Sequence, residues 1–281
     1  MLTRQQIERV VAMALEEDAP HGDITSQALV PATASATADL VAREPGVFSG
    51  GEVFAAAFTM LDPDVKVTIG TADGELFLKG DVLASVSGPA RSILQSERVA
   101  LNLVQRMSGI ATLTMSYVAL VADTKARLVD TRKTTPGLRA IERHAVRSGG
   151  GHNHRYSLSD AVMAKDNHLA VIRDHLTEAL QQARRDLPHT THIEVEVDRL
   201  EQLDEVLASG VVDTIMLDNF TLEDLRAGVA HIGDRAIVEA SGNVNLETVR
   251  AIAQTGVDVI SVGALTHSVR SLDLGLDISV S

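Results

Sequence analysis

Basic side chains crowd one short stretch of an otherwise acidic chain. The chain has 281 residues and a formal net charge of -13. Its residues 130–155, DTRKTTPGLRAIERHAVRSGGGHNHR, nevertheless contain Arg132, Lys133, Arg139, Arg143, Arg147 and Arg155. A guanidinium binds a carboxylate through two hydrogen bonds, and several Arg and Lys side chains together neutralise two carboxylates or a phosphate. The stretch therefore predicts a site for a small anionic ligand, with His154 beside the cations.

Carboxylates occur within apolar segments further along the chain. Glu194 and Glu196 flank Val195, so they face the same way on a strand, and Asp218 ends the next apolar segment. Buried strands do not normally carry carboxylates without partners. Such oxygens suit Mg²⁺, which binds through one or two carboxylates together with substrate phosphates. These residues predict a magnesium-assisted reaction but leave open which of Glu194 and Glu196 faces the substrate.

Lys165 ends another apolar segment and has two interpretations. It adds a cation to the anion site, or it is the nucleophile of a Schiff-base aldolase, which presents a lysine from a barrel strand. Asp166, Asn167 and His168 follow at once, and such neighbours disfavour a Schiff-base lysine. The residues alone leave both interpretations open.

Two segments near the end of the sequence, EASGN and SVGAL, finish in small residues before predicted helices. Backbone N–H groups at a helix start bind phosphate, and α/β barrels often hold a phosphate after their last strands. A tight turn would explain the glycines equally well. We interpret His144 and His267 as structural.

Parallel strands must position these groups. Val- and Ile-rich segments alternate with helix-like segments from residue 126 onward: ARLVDT, AVMAKDNH, HIEVEVD, DTIMLDNF, AIVEASGN and DVISVGAL. This alternation is typical of an α/β barrel, whose catalytic groups lie at the C-terminal ends of the strands. Asp130, Asp198 and Glu239 also fall late in their segments. Only six strands are evident, so the predicted barrel is incomplete.

The loop after the first of these strands has its own helix signals. Thr135 before Pro136 predicts an N-cap and first helical position, and the helix then spans 136–148 and ends at Gly149. The triple glycine is either a helix C-cap with a flexible turn or a loop that passes close to a ligand.

The N-terminal part has a different pattern. Residues 2–18 predict a helix, and ATADLVARE, DVKVTIG and DVLASVSG predict short strands of a small α+β domain. A long helical pattern follows in RSILQSERVALNLVQRMSGIATLTMSYVALVAD. We expect this helix to join the two domains and to break near Gly109.

Composition excludes several classes of protein. The chain has no cysteine, which excludes disulfides, thiolate catalysis and Cys-ligated metals. An acidic chain with 2% aromatic residues offers no basic surface or stacking platform for nucleic acid. The first residues predict an amphipathic helix rather than a signal peptide, and we expect a cytoplasmic protein without a membrane segment.

The motifs together resemble one enzyme family over nearly the whole chain: SERVALNLVQRMSGIAT, DTRKTTPGLR, GGGHNHR, AKDNH, EVEVD, LDNF, EASGN and VGALTHS. They are similar to the quinolinate phosphoribosyltransferases, also called carboxylating nicotinate-nucleotide pyrophosphorylases. The combination of DTRKT with GGGHNHR is highly specific. One small departure is Ala164, where a larger aliphatic residue is expected.

The resemblance implies a fold and a reaction. The fold is an N-terminal α/β sandwich, residues 1–108 completed by 266–281, followed by an open, incomplete α/β barrel of parallel strands, residues 109–265. The ring nitrogen of quinolinate attacks C1 of phosphoribosyl pyrophosphate, pyrophosphate leaves, and decarboxylation gives nicotinate mononucleotide. The family works as a homodimer, or a higher oligomer, with shared active sites.

The resemblance also implies roles for individual residues. Arg132, His154, Arg155 and Lys165 would line the quinolinate pocket, and Arg98 would reach in from the partner subunit. Lys133 would meet phosphoribosyl pyrophosphate, while Glu196 and Asp218 would hold its ribose and the Mg²⁺–pyrophosphate group. The remaining substrate-binding residues implied are Thr131, Ser241, Gly242, Asn243, Val262, Gly263 and Ala264. Lys133, Lys165, Glu196 and Asp218 would form the catalytic set.

Three alternatives are weighed beside this function. A nicotinate phosphoribosyltransferase would use the same fold for a monocarboxylate. A Schiff-base aldolase would depend on Lys165. A phosphate-ligand sensor would keep the fold and pocket without catalysis.

Overall fold

The computed structural model describes residues 2–172 and 175–280. It has the α/β architecture expected from the sequence. The chain divides into two compact units. The first contains residues 1–115, 134–150 and 265–281, and the second contains 116–133 and 151–264. The domain boundary at residues 108/109 stays a prediction.

The first half of the chain alternates helices with antiparallel strands. Its elements are α1 (Arg4–Asp18), α2 (Ile24–Leu29), β1 (Ser35–Ala42), β2 (Gly46–Val47), α3 (Gly51–Thr59), β3 (Lys66–Ile69), β4 (Leu76–Phe77), β5 (Val82–Pro89) and α4 (Ala90–Val121).

Parallel strands and helices follow in the second half. These are β6 (Arg127–Val129), α5 (Arg139–Ser148), β7 (Val162–Ala164), α6 (Asp166–Ile172), α7 (Leu176–Asp186), β8 (Ile193–Val197), α8 (Leu203–Ala208), β9 (Thr214–Asp218), α9 (Leu222–Ile232), β10 (Ile237–Ser241), α10 (Val249–Ala253), β11 (Val259–Ser261), α11 (Ala264–His267) and β12 (Leu274–Val280).

The first unit is built on a four-stranded sheet in the order β12-β1-β5-β3. Exposed and buried residues alternate along most of β1, as expected for a strand with one face on a core. One edge strand of this sheet, β12, comes from the C-terminal part of the sequence. It pairs antiparallel with β1 from Ala36↔Val280 to Ala42↔Leu274. Phe54 and Phe58 of α3 lie edge to face in the core, with ring centroids 5.1 Å apart.

Helix α4 contradicts one prediction. It runs for 32 residues through Gly109 without the expected break. A Cβ atom at Gly109 would lie 2.2 Å from the carbonyl oxygen of Arg270, so the glycine makes room for a passing segment. Gly109 in the sequence therefore indicated a site of close packing, where a side chain would not fit, and not the end of a helix.

The predicted N-terminus of α5 is also wrong. The helix begins at Arg139, and residues 134–138 form a turn without a side-chain cap. Thr135 does not cap the helix and is held instead by Glu142 and Arg106: its N–H donates to Glu142 Oε2 (3.1 Å), and its hydroxyl accepts from Arg106 (2.9 Å). The C-terminus was predicted correctly at Gly149, where a Cβ atom would lie 2.3 Å from the Ala111 carbonyl oxygen. Packing against α4 thus explains this glycine without a ligand.

The second unit contains the six predicted parallel strands. The sheet order is β6-β11-β10-β9-β8-β7, so β6 and β7 form its two ends and the sheet is an open barrel. Most residues of β8 and β9 are apolar and most are buried, as expected because helices of α/β folds cover the sheet. Among the described helices, none is long and apolar enough to cross a membrane.

A buried ion pair in the first unit gives a stability prediction. Glu142 is fully buried and pairs with Arg106, with the closest N···O distance at 2.6 Å. Glu142→Ala leaves the guanidinium without its counter-charge, so we expect the free energy of unfolding to fall by about 3 kcal/mol or more. Urea unfolding measures the change. The control is Glu8→Ala, which removes an exposed pair with Arg4 and should barely move the midpoint; equal shifts in both variants would contradict the prediction.

Candidate active site

One cavity of about 390 Å³ lies at the C-terminal ends of the six parallel strands. Its lining residues all belong to the second unit. They are Thr131, Arg132, Lys133, His154, Arg155, Met163, Lys165, Glu196, Met216, Asp218, Ser241 and Ser261. The cavity therefore brings together most of the charged residues expected from the sequence.

Strand periodicity explains why these side chains share the cavity. Successive residues of a strand point to opposite faces, so residues two apart share a face. Asp218 and Ser241 are register partners at the ends of β9 and β10, and Glu196 pairs with Met216 one layer below Asp218. The edge of the sheet thus carries the polar groups, while methionine forms part of the apolar wall.

Three lining residues were missed by the sequence reasoning, namely Met163, Met216 and Ser261. Met163 lies two residues before Lys165, and Met216 lies two residues before Asp218. The period of two would have found both methionines if it had been extended from the charged residues.

The stretch of six basic residues is divided between the units. Arg132, Lys133 and Arg155 line the cavity, whereas Arg139, Arg143 and Arg147 belong to α5 in the first unit. Lys165 adds a fourth cation to the cavity. Burial lowers the pKa of Arg155, and the nearby positive charge of Arg132 lowers it further. The cations are therefore close enough to repel one another.

Lys165 forms an ion pair with Glu196, which joins the ends of β7 and β8. The Lys165 side chain is less than half exposed, and that of Glu196 is largely buried. His168 Nδ1 accepts a hydrogen bond from the Lys165 backbone N–H at 3.1 Å. The ammonium group is thus fixed at the cavity wall with a carboxylate against it.

Asp130 organises the loop that carries His154 and Arg155. It directly follows β6 and is completely buried. Its Oδ2 accepts from Asn153 Nδ2 at 2.6 Å, and its Oδ1 accepts from the backbone N–H of His154 at 2.8 Å. Arg155 in turn donates to the Ala161 carbonyl oxygen at 2.9 Å. A single carboxylate at a strand end therefore fixes the segment that supplies two cavity residues.

His154 contacts two buried carboxylates at the base of the cavity. Its Nε2 lies 3.2 Å from Glu194 Oε2 and 3.5 Å from Glu239 Oε2. Burial disfavours the charged ring, but the hydrogen bonds that the ring donates to these carboxylates, together with the negative charges of the carboxylates, raise the pKa of His154. Burial likewise raises the pKa of Glu194. The cluster offers one nitrogen and two carboxylate oxygens within 4.8 Å of one another, which are donors that a metal ion accepts.

Glu194 and Glu196 thus have separate positions on the same face of β8. Glu196 lines the cavity, and Glu194 lies deeper, 3% exposed, against His154. Of the two, Glu196 is the one at the cavity wall, and that it faces the substrate stays a prediction.

The loop after β10 differs from the prediction. No helix begins directly after Ser241; α10 begins at Val249. The turn is instead held by Asn219, whose Oδ1 accepts from Asn243 Nδ2 at 2.9 Å and whose N–H donates to the Ser241 carbonyl at 2.9 Å. Asn219 and Asn243 both have positive φ, which Asn tolerates better than most residues. Gly242 is required here because a Cβ atom would lie 2.2 Å from Asn219 Oδ1.

The other predicted residues lie as follows. Val262 is buried and its N–H donates to the Val129 carbonyl, while Gly263 and Ala264 are partly exposed at the start of α11. Arg98 is exposed on α4 in the first unit. His144 Nε2 contacts Asp73 at 2.6 Å, and His267 Nδ1 contacts Ser268 at 2.6 Å.

Comparison with known proteins identifies the family. The model of the quinolinate phosphoribosyl transferase N-terminal domain matches residues 23–108, and that of the C-terminal domain matches residues 110–277. The chain belongs to the quinolinate phosphoribosyltransferase family. The resemblance seen in the motifs is therefore confirmed.

Curated relatives and a solved structure agree with this assignment. A probable nicotinate-nucleotide pyrophosphorylase, carboxylating, of Bacillus subtilis (strain 168) is 43% identical over 276 residues, which cover 98% of this chain and 94% of the relative. The nicotinate-nucleotide pyrophosphorylase, carboxylating, of Mycobacterium leprae (strain TN) is 46% identical over 277 residues, 95% of each chain. A crystal structure of NadC from Streptococcus pyogenes superposes with a TM-score of 0.94 at 40% identity, covering 100% of this chain and 99% of that one. This quinolinate phosphoribosyltransferase family member thus has relatives along its whole length.

The position of Asp130 gives a prediction about loop order. An amide in Asp130→Asn has only one acceptor, so one of the two donors, Asn153 Nδ2 or His154 N–H, would face an NH₂ group. We expect the amides of residues 152–155 to exchange hydrogen at least about tenfold faster, since one buried hydrogen bond is lost. Mass spectrometry of the exchanged loop peptide measures this. The matched control is Asp198→Asn at the exposed end of β8; unchanged exchange in Asp130→Asn would show that the carboxylate does not hold the loop.

Proposed function

We propose that this chain transfers the phosphoribosyl group of phosphoribosyl pyrophosphate to quinolinate and releases pyrophosphate and carbon dioxide, giving nicotinate mononucleotide. The family assignment supports the reaction, and the names of the curated relatives describe a carboxylating pyrophosphorylase of this kind. The observation that carries the proposal is the cavity itself, where four cations face two carboxylates at adjacent strand ends. A dianionic acid and a phosphorylated co-substrate match this distribution of charge.

The cations suit the two carboxylates of quinolinate. Arg132 and Arg155 can each bind a carboxylate through two parallel hydrogen bonds, and the Lys165 ammonium adds a third positive group. Held in this way, the ring nitrogen has its lone pair directed at the co-substrate, and a general base is not needed. The same cations, fixed by the protein, are repelled from one another until the acid binds.

Other residues of the cavity suit phosphoribosyl pyrophosphate. Lys133 is exposed at the loop after β6, and Glu196 and Asp218 follow on neighbouring strands. We assign the ribose hydroxyls to these carboxylates. The 5-phosphate would be held by the turn Ser241, Gly242 and Asn243 and by backbone groups of residues 262–264.

Glu196 and Asp218 also have the chemistry of a Mg²⁺ site. One oxygen of Glu196 is paired with Lys165, and Asp218 Oδ2 accepts from Asn219 Nδ2 at 2.7 Å, so the second oxygen of each can accept a cation. A bound Mg²⁺ would neutralise the pyrophosphate leaving group. Two carboxylates with substrate phosphates are the usual magnesium ligands in proteins.

Charge and alignment account for the mechanism. Breaking the bond between C1 and pyrophosphate builds positive charge on the ribose, which the carboxylates of Glu196 and Asp218 stabilise, and negative charge on the leaving group, which Lys133 stabilises. Holding both substrates in line replaces an encounter in solution. After the transfer, the ring nitrogen is positive, so it stabilises the electron pair that is left on the adjacent ring carbon when the carboxylate leaves as carbon dioxide. That carbon then takes a proton from solvent, which gives nicotinate mononucleotide.

We also propose that the enzyme is a homodimer in which each subunit supplies Arg98 to its partner's cavity. The support is that Arg98 is exposed and belongs to the first unit, while the cavity residues belong to the second.

Selectivity between acids tests the proposed substrate. Nicotinate, a monoacid, offers these cations one carboxylate fewer than quinolinate, and each charge-assisted contact that is not made costs roughly 1–3 kcal/mol. We expect kcat/KM for quinolinate to exceed that for nicotinate by at least about a hundredfold. Arg132→Ala and Arg155→Ala should weaken quinolinate use without creating efficient nicotinate use. Arg147→Ala, from the same basic stretch but exposed on α5, is the control; comparable use of both acids would favour a nicotinate phosphoribosyltransferase.

Metal dependence tests the carboxylate pair. Chelation should abolish turnover, and Asp218→Ala should reduce kcat by at least about a hundredfold while quinolinate binding changes little. Turnover is followed by pyrophosphate release and quinolinate binding by calorimetry. Full activity of Asp218→Ala in excess chelator would exclude this role.

Subunit complementation tests the shared site. Inactive Arg98→Ala and inactive Lys165→Ala subunits should regain part of the wild-type activity when mixed, because some heterodimers contain one intact site. Subunit exchange is verified with differently tagged chains. A mixture that exchanges but stays inactive would exclude a role for Arg98 across the interface.

A further inference from the structure

Both ring nitrogens of His154 have a partner within the second unit. Nε2 lies 3.2 Å from Glu194 Oε2 and 3.5 Å from Glu239 Oε2. Nδ1 accepts a hydrogen bond from the backbone N–H of Arg155 at 2.7 Å. The ring is thus held at both ends while it lines the cavity.

These partners determine where the imidazole proton lies. A backbone N–H can only donate, so Nδ1 must keep its lone pair and carry no proton. A neutral imidazole has one proton, which is then on Nε2 and directed at the carboxylates. The two carboxylates favour the positively charged ring and, by themselves, raise the pKa of His154 to about 10. The charged ring would, however, need a second proton on Nδ1, and that proton would face the N–H of Arg155 at an N···N distance of 2.7 Å. Because two N–H groups cannot point at each other at this distance, the contact with Arg155 decides for the neutral ring.

The same geometry excludes a metal ion from this cluster. A metal bound at Nε2 would need the lone pair of that nitrogen. With Nδ1 already an acceptor, the ring would have to lose its last proton. The three donors are close enough to hold an ion, but the hydrogen bond from Arg155 makes Nε2 a donor to carboxylates instead.

Burial of Glu194 and Glu239 is unfavourable for the stability of the fold. Glu194 and Glu239 are each 3% exposed, and the Oε1 atom of each has no hydrogen-bond partner among the described residues. A buried acceptor without a partner is unfavourable, so such groups need an explanation other than stability. Their shared contact with His154 supplies one.

We propose that Glu194 and Glu239 are positioning residues that jointly accept the Nε2–H proton of His154, fixing the ring as the neutral tautomer and orienting it for quinolinate. The proposal rests on the proposed function for its substrate. The ring then meets quinolinate with its carbon surface, and Arg132, Arg155 and Lys165 bind the carboxylates. Because Nδ1 holds the Arg155 main chain, the two glutamates also position that guanidinium through the ring.

The tautomer can be observed directly in the full-length protein. Long-range ¹H–¹⁵N spectra of protein labelled at histidine distinguish a protonated from an unprotonated ring nitrogen, and loss of one signal set in His154→Gln assigns the residue. We expect protonated Nε2 and unprotonated Nδ1 at neutral pH, unchanged by added Mg²⁺ or Zn²⁺. Two protonated nitrogens, a proton on Nδ1, or a metal-induced shift of Nε2 would overturn the proposal. These spectra need no turnover, so their result stands apart from a failure of the proposed reaction.

Kinetics separates positioning from a merely structural role. Glu239→Leu removes the acceptor, and we expect KM for quinolinate to rise about tenfold, with KM for phosphoribosyl pyrophosphate nearly unchanged. Glu239→Gln keeps an acceptor oxygen and should restore most of the affinity. The control is Asp204→Asn, which removes the carboxylate from an exposed histidine, His231, 2.8 Å away. Equal changes in the two KM values, or equal KM values for quinolinate in Glu239→Leu and Glu239→Gln, would show that Glu239 only supports the fold. If Glu239→Leu does not fold, the spectrum of Glu239→Gln still decides the tautomer.

Discussion

Repulsion between like charges in one small cavity is the constraint on which the second unit depends. Arg132, Lys133, Arg155 and Lys165 line one cavity of about 390 Å³. Each cation is useful for a dicarboxylate only if it stays charged and in place. Carboxylates at the base and wall of the cavity offset this repulsion: Glu196 pairs with Lys165, and Glu194 favours the charged state of Arg155. Positive charge can therefore be concentrated without unfolding the loops that carry it.

The parallel sheet is what makes this arrangement accurate. All six strands end at one edge, so residues far apart in sequence become neighbours without long side chains. Two of the loops are then fixed by a short polar side chain at a strand end: Asp130 after β6 accepts from the backbone N–H of His154, and Asn219 after β9 accepts from the side chain of Asn243. Short side chains of this kind allow the loops less movement than contacts between long side chains would.

Much of this could be predicted from the sequence, and the reason differs between residues. The six strands were predictable because β-branched apolar segments recur at regular spacing, and the polar residue at the end of each segment indicated the active edge. Arg132, Lys133, Arg155, Lys165, Glu196 and Asp218 were expected in one site, and all line the cavity. The break at Gly109 and the cap at Thr135 were wrong, because glycine and threonine served tertiary contacts with Arg270 and Glu142 that no local pattern records.

Other features depend on distances that a sequence does not contain. The role of Glu239 follows from its approach to His154, a residue of another strand's loop, and Glu194 could be separated from Glu196 only by depth in the sheet. Asn219 was part of a quoted motif, but its hydrogen bonds to the loop after β10 depend on the register of two strands. Periodicity gives the face of a residue, and only the packed structure gives its partner.

The pairing of β12 with β1 has a consequence for synthesis on the ribosome. Ala36 is translated long before its partner Val280, so the sheet of the first unit cannot be completed until β12 has been translated. Until then β1 presents an open edge of unpaired N–H and C=O groups to other nascent chains. The strands β7 to β11 come from the continuous segment 151–264 and can associate before β12 has paired with β1. Pairing between strands so far apart in sequence is slow, and the open edge of β1 is exposed to aggregation for as long as the pairing takes.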